Sequence, residues 1–204
     1  FIGDVHGCLE ELQNLINKCN VSDEDRVILT GDLINRGPDS RGVVDFVRER
    51  GFECVRGNHE EYFLRDLPFE ERNHSFATLD QPHRDFIRSL PLYLYAGSFL
   101  VVHAGLMPGV RVEETPARIL LHIRTWDGSG KILNHREHPA WHELYSGPPT
   151  VIYGHWARQG LHRGPHSIGL DSGCVYGRQL TAYIAEEDRI IQVEARHTYY
   201  RPGN

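Results

Sequence analysis

The chain lacks the features that mark membrane-spanning, nucleic-acid-binding and repeat proteins. No apolar run in its 204 residues approaches the ~20 residues that span a bilayer, so we expect no membrane segment. Its formal charge of −6 disfavours a role in binding duplex nucleic acid, because proteins with that role are usually basic. No internal repeat and no linker divides the chain. With 40% hydrophobic and 25% charged residues, it is predicted to fold as one globular domain over residues 1–204.

Cysteine is also scarce. The four cysteines are Cys8, Cys19, Cys54 and Cys174, and no two of them form a C-x-x-C pair. This pattern favours buried, reduced thiols in a reducing compartment, the cytoplasm, over disulfides or a metal–thiolate site. The chain begins at Phe1, inside a predicted strand, so we expect the natural N-terminus to be missing. The cytoplasmic assignment therefore leaves open a targeting sequence upstream of Phe1.

Five short glycine-flanked motifs recur along the chain, and each holds a residue that can bind a metal ion. Four of them follow apolar runs of β character, and the first follows the two residues that open the chain. Such strand ends place ligands on loops at one rim of a sheet, which is where open α/β sheets bind ligands. The motifs are Gly3-Asp4-Val5-His6-Gly7, Gly31-Asp32 continuing to Arg36-Gly37, Gly57-Asn58-His59-Glu60, His103-Ala104-Gly105 and Gly154-His155.

Hydrophobic periodicity predicts an α/β fold. Helices are expected over 8–19, 39–50 and 58–66, alternating with strands over 26–30 and 52–56, which implies a parallel sheet with right-handed crossovers. Residues 67–91 are polar and helical at best, with breaks at Pro68, Pro82 and Pro91. In the second half of the chain, the same patterns predict a hairpin over 92–95 and 98–103 and a helix near 116–125. They also predict strands over 151–153, 167–170, 180–185 and 189–194.

The candidate ligands are carboxylate, amide and imidazole groups, which suit hard or borderline divalent ions. Side chains two residues apart in an extended segment point the same way, so one ion can take both Asp4 and His6. Asp32 has two carboxylate oxygens and can bridge that ion to a second one, whose other ligands would be Asn58, His103 and His155. Two ions roughly 3.5–4 Å apart would clamp a phosphoryl group and hold a hydroxide for in-line attack.

Three further residues have predicted roles beside the ions. His59 is the candidate general acid for the leaving oxygen, and Arg36 and Arg124 are candidate phosphate ligands. Each residue alone has an ordinary alternative as a turn, a satisfied polar group or a surface charge, and Arg124 is as readily a solvated helix residue. The five motifs together, in order at predicted strand ends, favour the metal site.

The remaining histidines and one tryptophan are predicted to lie outside this chemistry or at its edge. His135, His138 and His142 have metal-like spacing in a polar, irregular segment, and a solvated loop is favoured over a second metal site. His162 and His166 are predicted as loop residues. Trp156 either stacks on a nucleobase or packs at the rim of the site.

The ordered motifs resemble those of the calcineurin-like metallophosphoesterases over most of the chain, with residues 107–148 the weakest part. The resemblance implies a single-domain four-layer α/β sandwich, with two central β-sheets flanked by helices and a dimetal site at the carboxyl-terminal rim of the strands. Many members carry a second metal-binding histidine two residues after the first in the last motif, where this chain has Ala157. The absence of this second histidine resembles the pattern of the phosphoprotein-phosphatase branch.

Within that branch, two groups differ at the position of Asn35. Protein phosphatases have an aspartate there that orients the catalytic histidine, whereas the ApaH-like symmetrical diadenosine tetraphosphatases tolerate a non-acidic residue. An asparagine cannot offset an imidazolium charge, so the support for His59 is weaker here. The carboxyl-terminal sequence also resembles the ApaH-like signature, in Gly154-His155-Trp156-Ala157, Gly169-Leu170-Asp171-Ser172-Gly173-Cys174 and Leu180-Thr181-Ala182.

The resemblance implies a dimetal hydrolase of phosphoanhydride bonds, with a dinucleoside polyphosphate as substrate and His59 and Asn35 as catalytic residues. The alternatives are an endopolyphosphatase and a phosphoserine/phosphothreonine phosphatase with a phosphoprotein partner. A non-enzymatic scaffold is disfavoured, because nothing would then retain six costly polar ligands. Mn is expected as the metal in vitro, with Fe, Zn, Co or Ni as alternatives.

Overall fold

The computed structural model describes residues 1–65 and 76–202. The predicted alternation of helices and strands is present in the first segment, where each element is slightly shorter than expected. The side chain of Asp39 accepts a hydrogen bond from the backbone N–H of Gly42 at 2.7 Å, which fixes the start of the second helix. The elements are α1 (Leu9–Lys18), β1 (Ile28–Leu29), α2 (Ser40–Glu49), β2 (Glu53–Cys54) and α3 (Asn58–Leu64).

The second segment also follows the prediction, with two corrections. Pro82 lies in the first turn of a helix and does not break it, because a proline there loses no helical hydrogen bond. His162 lies in a short strand, so its prediction as a loop residue was wrong. The predicted break at Pro68 lies outside the described residues. The elements are α4 (Gln81–Ser89), β3 (Tyr93–Ala96), β4 (Phe99–Val102), α5 (Ala117–His122), β5 (Thr150–Tyr153), β6 (His162–Arg163), β7 (Ser167–Gly169), β8 (Gln179–Ile184) and β9 (Arg189–Glu194), with short 3₁₀ helices at Val112–Glu114, Trp141–Leu144 and Cys174–Tyr176.

The strands form two sheets. In the first sheet β1 and β2 are parallel, as predicted, and β8 and β9 form an antiparallel hairpin. Ile2 joins the two pairs, because it bridges Leu29 in parallel and Ala182 in antiparallel orientation. The second sheet has the order β3-β4-β5-β7-β6, in which β4, β5 and β7 are parallel and the two edge strands are antiparallel.

Three apolar clusters show how the layers pack. Helices α1 and α2 cover the outer face of the first sheet, and α5 covers the outer face of the second. The third cluster lies between the sheets, since it joins Ile28 and Tyr183 of the first sheet to Val101 and Ile152 of the second. Alternation along β4 serves both sides: Val101 faces the other sheet, whereas Leu100 belongs to the cluster with α5. The four-layer α/β arrangement is therefore confirmed.

This packing decides where the motifs meet. Each of the five glycine-flanked motifs follows one strand or bridge. In the first sheet these are the bridge at Ile2, β1 and β2, and in the second they are β4 and β5. The carboxyl ends of these strands therefore meet at one rim that both sheets share. Within the described segments, no helix is both long enough and apolar enough to cross a bilayer.

Candidate metal centre

The backbone is strained at the residues that build the site. Five non-glycine residues of the metal loops have positive φ angles, in a region that side chains other than glycine seldom adopt. Elsewhere in the described residues only Asn20 and Asp188 share this conformation. Strain of this kind persists where the surrounding structure fixes it, and it concentrates at functional sites. The five residues are His6 (49°), Asp32 (51°), Asn35 (78°), Arg36 (68°) and His155 (64°).

Asp32 lies at the centre of the site and is 2% exposed. Its Oδ2 atom is 3.5 Å from Nε2 of His6 and 3.5 Å from Nε2 of His103. Potential ligand atoms converge within 4.8 Å of one another in two groups, one of His6, Asp32 and His59 and the other of Asp32, His103 and His155. Because Asp32 belongs to both groups, its carboxylate has the position that a bridging ligand requires.

Hydrogen bonds to backbone carbonyls orient two of the imidazole rings. Nδ1 of His6 donates to the carbonyl of Ile34 at 3.0 Å, and Nδ1 of His103 donates to the carbonyl of Thr30 at 2.8 Å. Each ring therefore turns its Nε2 toward Asp32. Burial lowers the pKa of His6 to about 4, so this ring is neutral at physiological pH. Neutral imidazoles beside a carboxylate are the form in which these groups bind a divalent ion.

Asn58 joins the second group through its amide oxygen. This Oδ1 atom lies 2.9 Å from Nε2 of His103 and 2.8 Å from Nδ1 of His155. Burial lowers the pKa of His155 well below its usual value. Its Nε2 atom has no hydrogen-bond partner among the described residues. An amide oxygen and two ring nitrogens thus converge beside Asp32, which is the donor set that the sequence predicted for the second ion.

Asp4 lies beside the two groups and is not a member of either. Its Oδ1 accepts a hydrogen bond from the hydroxyl of Thr30 at 3.1 Å, and its Oδ2 accepts one from the backbone N–H of His155 at 2.9 Å. Burial and the charges of Asp171 and Asp32 raise the pKa of Asp4 well above its usual value. Such crowding of buried carboxylates is relieved by a bound cation. A side chain at Gly154 would place its Cβ 1.8 Å from Asp4 Oδ1, which explains that glycine.

His59 and Asn35 form a hydrogen-bonded pair at the edge of the first group. The Asn35 Oδ1 accepts the backbone N–H of Arg36 at 2.8 Å, which turns Nδ2 toward His59 Nδ1 at 2.7 Å. The amide therefore donates to Nδ1, and the proton of the imidazole lies on Nε2, 4.0 Å from Asp32 Oδ2. Burial lowers the pKa of His59, so its ring is neutral at physiological pH.

Glu60 is a supporting residue to which the sequence analysis gave no role. It is fully buried, and its Oε2 accepts the backbone N–H groups of Asp32 at 2.8 Å and Gly57 at 2.9 Å. Its Oε1 accepts those of Leu33 at 2.9 Å and Ile34 at 3.3 Å. The carboxylate thereby fastens the Asp32 loop to the start of α3. A glutamate three residues after Gly57 is the pattern of a capping box, which could have revealed it.

A cavity of about 500 Å³ opens above the ligand groups. Arg36 and Arg124 line it, as their predicted role requires, although α5 ends at His122 and Arg124 lies beyond the helix. Sequence analysis missed four other lining residues, for which it offered no spacing signal: Asn134, Arg158, Tyr176 and Arg178.

Contacts around this cavity place the remaining predicted residues. The Tyr176 hydroxyl accepts a hydrogen bond from Nη1 of Arg36 at 2.6 Å, and Nη2 of Arg124 donates to the carbonyl of His155 at 3.2 Å. Trp156 is half-buried and lines the cavity. Among the described residues, the predicted loop histidines form no group of three metal-binding side chains.

Comparison with known proteins agrees with this geometry. Residues 1–189 match the sequence model of a family described as calcineurin-like phosphoesterases. The chain belongs to that family. It is therefore a metallophosphoesterase, a hydrolase of a dimetal-dependent family, and the cluster at Asp32 has the ligands for such a centre.

Individual relatives are similar along almost the whole chain. A symmetrical bis(5'-nucleosyl)-tetraphosphatase of Aromatoleum aromaticum is 31% identical over 95% of the chain and 96% of the relative. The asymmetrical bis(5'-nucleosyl)-tetraphosphatase PrpE of Oceanobacillus iheyensis is 29% identical over 97% of the chain and 92% of the relative. The crystal structure of a candidate diadenosine tetraphosphatase superposes with a TM-score of 0.85 at 30% identity, covering 95% of this chain and 91% of that one.

A substitution at Asp32 tests whether this metallophosphoesterase shares one carboxylate between two ions. Asp32→Asn removes the charge that both groups of ligands have in common, so we expect both ions and turnover to be lost. Elemental analysis after gel filtration from excess Mn would measure about two ions per native chain and close to none in the variant. The exposed Asp85→Asn change is the control and should retain the native content. Two tightly held ions in the Asp32→Asn protein would contradict the bridging role.

Proposed function

We propose that this metallophosphoesterase hydrolyses a phosphoanhydride bond of dinucleoside tetraphosphates such as diadenosine tetraphosphate. The single observation that carries the proposal is the cavity, in which four arginines surround the ligand groups at Asp32: Arg36, Arg124, Arg158 and Arg178. The names of the relatives support the same substrate class. Guanidinium groups bind phosphate oxygens in bidentate fashion, so four of them in one cavity suit a chain of linked phosphates better than a single phosphoryl group.

Two divalent ions, which we propose to be Mn in vitro, would neutralise phosphate charge and activate a water molecule at neutral pH. Asp32, His103, His155 and Asn58 would hold one ion, and His6 and Asp32, with Asp4 beside them, the other. Arg36 and Arg124 would orient the non-bridging oxygens of the attacked phosphate. Tyr176 holds the Arg36 guanidinium in place through the hydrogen bond at 2.6 Å.

The pairing of His59 with Asn35 supports an anhydride substrate. The Asn35 amide donates to Nδ1 of His59, so the ring is neutral and offers only its Nε2 proton to a leaving oxygen. A neutral imidazole is a weak acid. A nucleotide phosphate is a much better leaving group than the alkoxide of a phosphoserine, and it needs less protonation. The pair is therefore adequate for phosphoanhydride hydrolysis and poorly suited to phosphoester hydrolysis.

Replacement of His59 tests its role as an acid. His59→Asn should retain both metal ions and lose roughly 10²–10⁴-fold in rate on a dinucleoside tetraphosphate. The loss should be smaller for p-nitrophenyl phosphate, whose leaving group requires no proton. The measurements are metal content and kcat for both substrates, with exposed His135→Asn as the matched control. Equal losses on both substrates, or loss of the ions, would refute the assignment.

Substrate preference tests the function itself. With excess Mn, we expect kcat/KM for diadenosine tetraphosphate or polyphosphate to exceed that for a phosphopeptide. Asn35→Asp should raise activity on phosphoesters more than on anhydrides, because a carboxylate can stabilise a protonated His59. Asn14→Asp, an exposed change on α1, is the control for added charge.

The products identify the bond that is cleaved. Two nucleoside diphosphates are expected if cleavage is symmetrical, and a nucleoside triphosphate with a monophosphate if it is asymmetrical. A native preference for phosphopeptides, or an equal gain on both substrate types in Asn35→Asp, would replace this proposal with that of a protein phosphatase.

A further inference from the structure

A third group of potential metal-binding side chains does not include Asp32 and lies at the start of α1. Cys8 directly precedes α1, Glu11 lies in its first turn, and Cys174 begins the 3₁₀ helix Cys174–Tyr176. One ligand atom from each of the three lies within 4.8 Å of the other two. None of the three residues is more than 1% exposed. Residues far apart in the sequence thus bring two thiols and a carboxylate to one buried point.

Only one of the two carboxylate oxygens of Glu11 has hydrogen-bond partners among the described residues. Its Oε1 accepts hydrogen bonds from the backbone N–H of Arg196 at 2.9 Å and from the hydroxyl of Tyr199 at 2.7 Å. Its Oε2 is buried and has no hydrogen-bond partner among the described residues. Buried polar atoms are nearly always paired, so an unpartnered carboxylate oxygen beside two sulfur atoms is a donor available to a cation.

We propose that Cys8, Glu11 and Cys174 bind one thiophilic divalent ion of the zinc class, separately from the ions at Asp32. Thiolates select soft or borderline ions such as Zn²⁺ and Cd²⁺, whereas the oxygen- and nitrogen-rich site at Asp32 also accepts Mn²⁺. The proposal takes up the metal–thiolate alternative to the expectation that the cysteines are buried, reduced thiols.

The geometry is compatible with such an ion. With a Zn–S distance of ~2.3 Å and a Zn–O distance of ~2.0 Å, a tetrahedral ion holds two sulfurs ~3.8 Å apart and a sulfur and an oxygen ~3.5 Å apart. Ligand atoms that lie within 4.8 Å of one another therefore need to approach by at most about 1 Å between the sulfurs and about 1.3 Å between a sulfur and the Glu11 oxygen. Binding would release the two thiol protons to solvent, and the fourth position would remain for another oxygen. The carbonyl of His6, toward which the Cys8 thiol points at 3.8 Å, is an oxygen within reach.

An ion here would link three segments that surround the active site. Cys8 follows His6 by two residues, and Cys174 follows Asp171 by three. Glu11 in turn holds the carboxyl-terminal segment through Arg196 and Tyr199. The bound ion would therefore stabilise the fold next to the site without contacting the substrate, and the proposal does not depend on which phosphate compound is hydrolysed.

Cobalt spectroscopy of the full chain distinguishes this site from the one at Asp32. Thiolate ligands give Co²⁺ a near-ultraviolet charge-transfer band, which imidazole and carboxylate ligands do not. The metal-free protein, kept reduced with a phosphine, is titrated with Co²⁺. This band should develop, and its final intensity should correspond to one thiolate-bound Co²⁺ per chain. Excess Zn²⁺ should abolish the band and raise the thermal unfolding midpoint. Mn²⁺ should not displace Co²⁺ from the thiolates.

Variants decide the assignment. Cys8→Ser and Cys174→Ser should lose the band. Cys54→Ser, which removes a buried cysteine outside the group, should retain it. Asp32→Asn should also retain the band. Glu11→Gln keeps both thiols and should weaken Co²⁺ binding, which provides a test if a cysteine variant fails to fold. The proposal is overturned if the native protein shows no thiolate band, or if the band persists without Cys8 and Cys174.

Discussion

The carboxylate of Asp32 is the point on which the active site depends. It is buried at the rim where the two sheets meet, within 3.5 Å of one imidazole from each side of the site. Its Oδ1 also accepts the backbone N–H of His59 at 2.9 Å, so the same side chain positions the candidate acid. Burial alone would raise the pKa of Asp32, but the surrounding imidazoles and this N–H donor hold it well below its usual range. It is therefore ionised and fixed before any ion binds.

Several contacts hold the Asp32 carboxylate in position. The positive φ at Asp32 is held because the backbone N–H groups of Val5 and His6 both donate to its carbonyl, at 3.2 and 2.8 Å. Glu60 accepts four backbone N–H groups across the same loop and α3. Asp4 and Asp171 lie nearby, and burial, together with the charge of Asp32, raises the pKa of both. Divalent ions held by these carboxylates and imidazoles would offset this charge, and the arginines of the cavity would attract an anionic substrate.

The sequence predicted the parts of the structure that local patterns determine. Glycine-flanked strand ends located the side chains that meet around Asp32, because a strand and its turn are adjacent in sequence, and the α/β class followed from periodicity. What it missed depends on contacts between distant segments. Glu60, Tyr176 and Arg178 acquire their roles only when several loops meet, and Cys8 and Cys174 approach each other across most of the chain. Pro82 was misread because one residue type either starts or breaks a helix, according to its position.

The account requires two ions on opposite sides of one carboxylate, and their positions can be observed directly. Crystals grown with excess Mn and measured at the Mn absorption edge would reveal each ion as an anomalous scattering peak. We expect two peaks roughly 3.5–4 Å apart, both within bonding distance of Asp32, one beside His6 and the other beside Asn58, His103 and His155. A single peak, or a pair that does not share Asp32, would contradict the central claim.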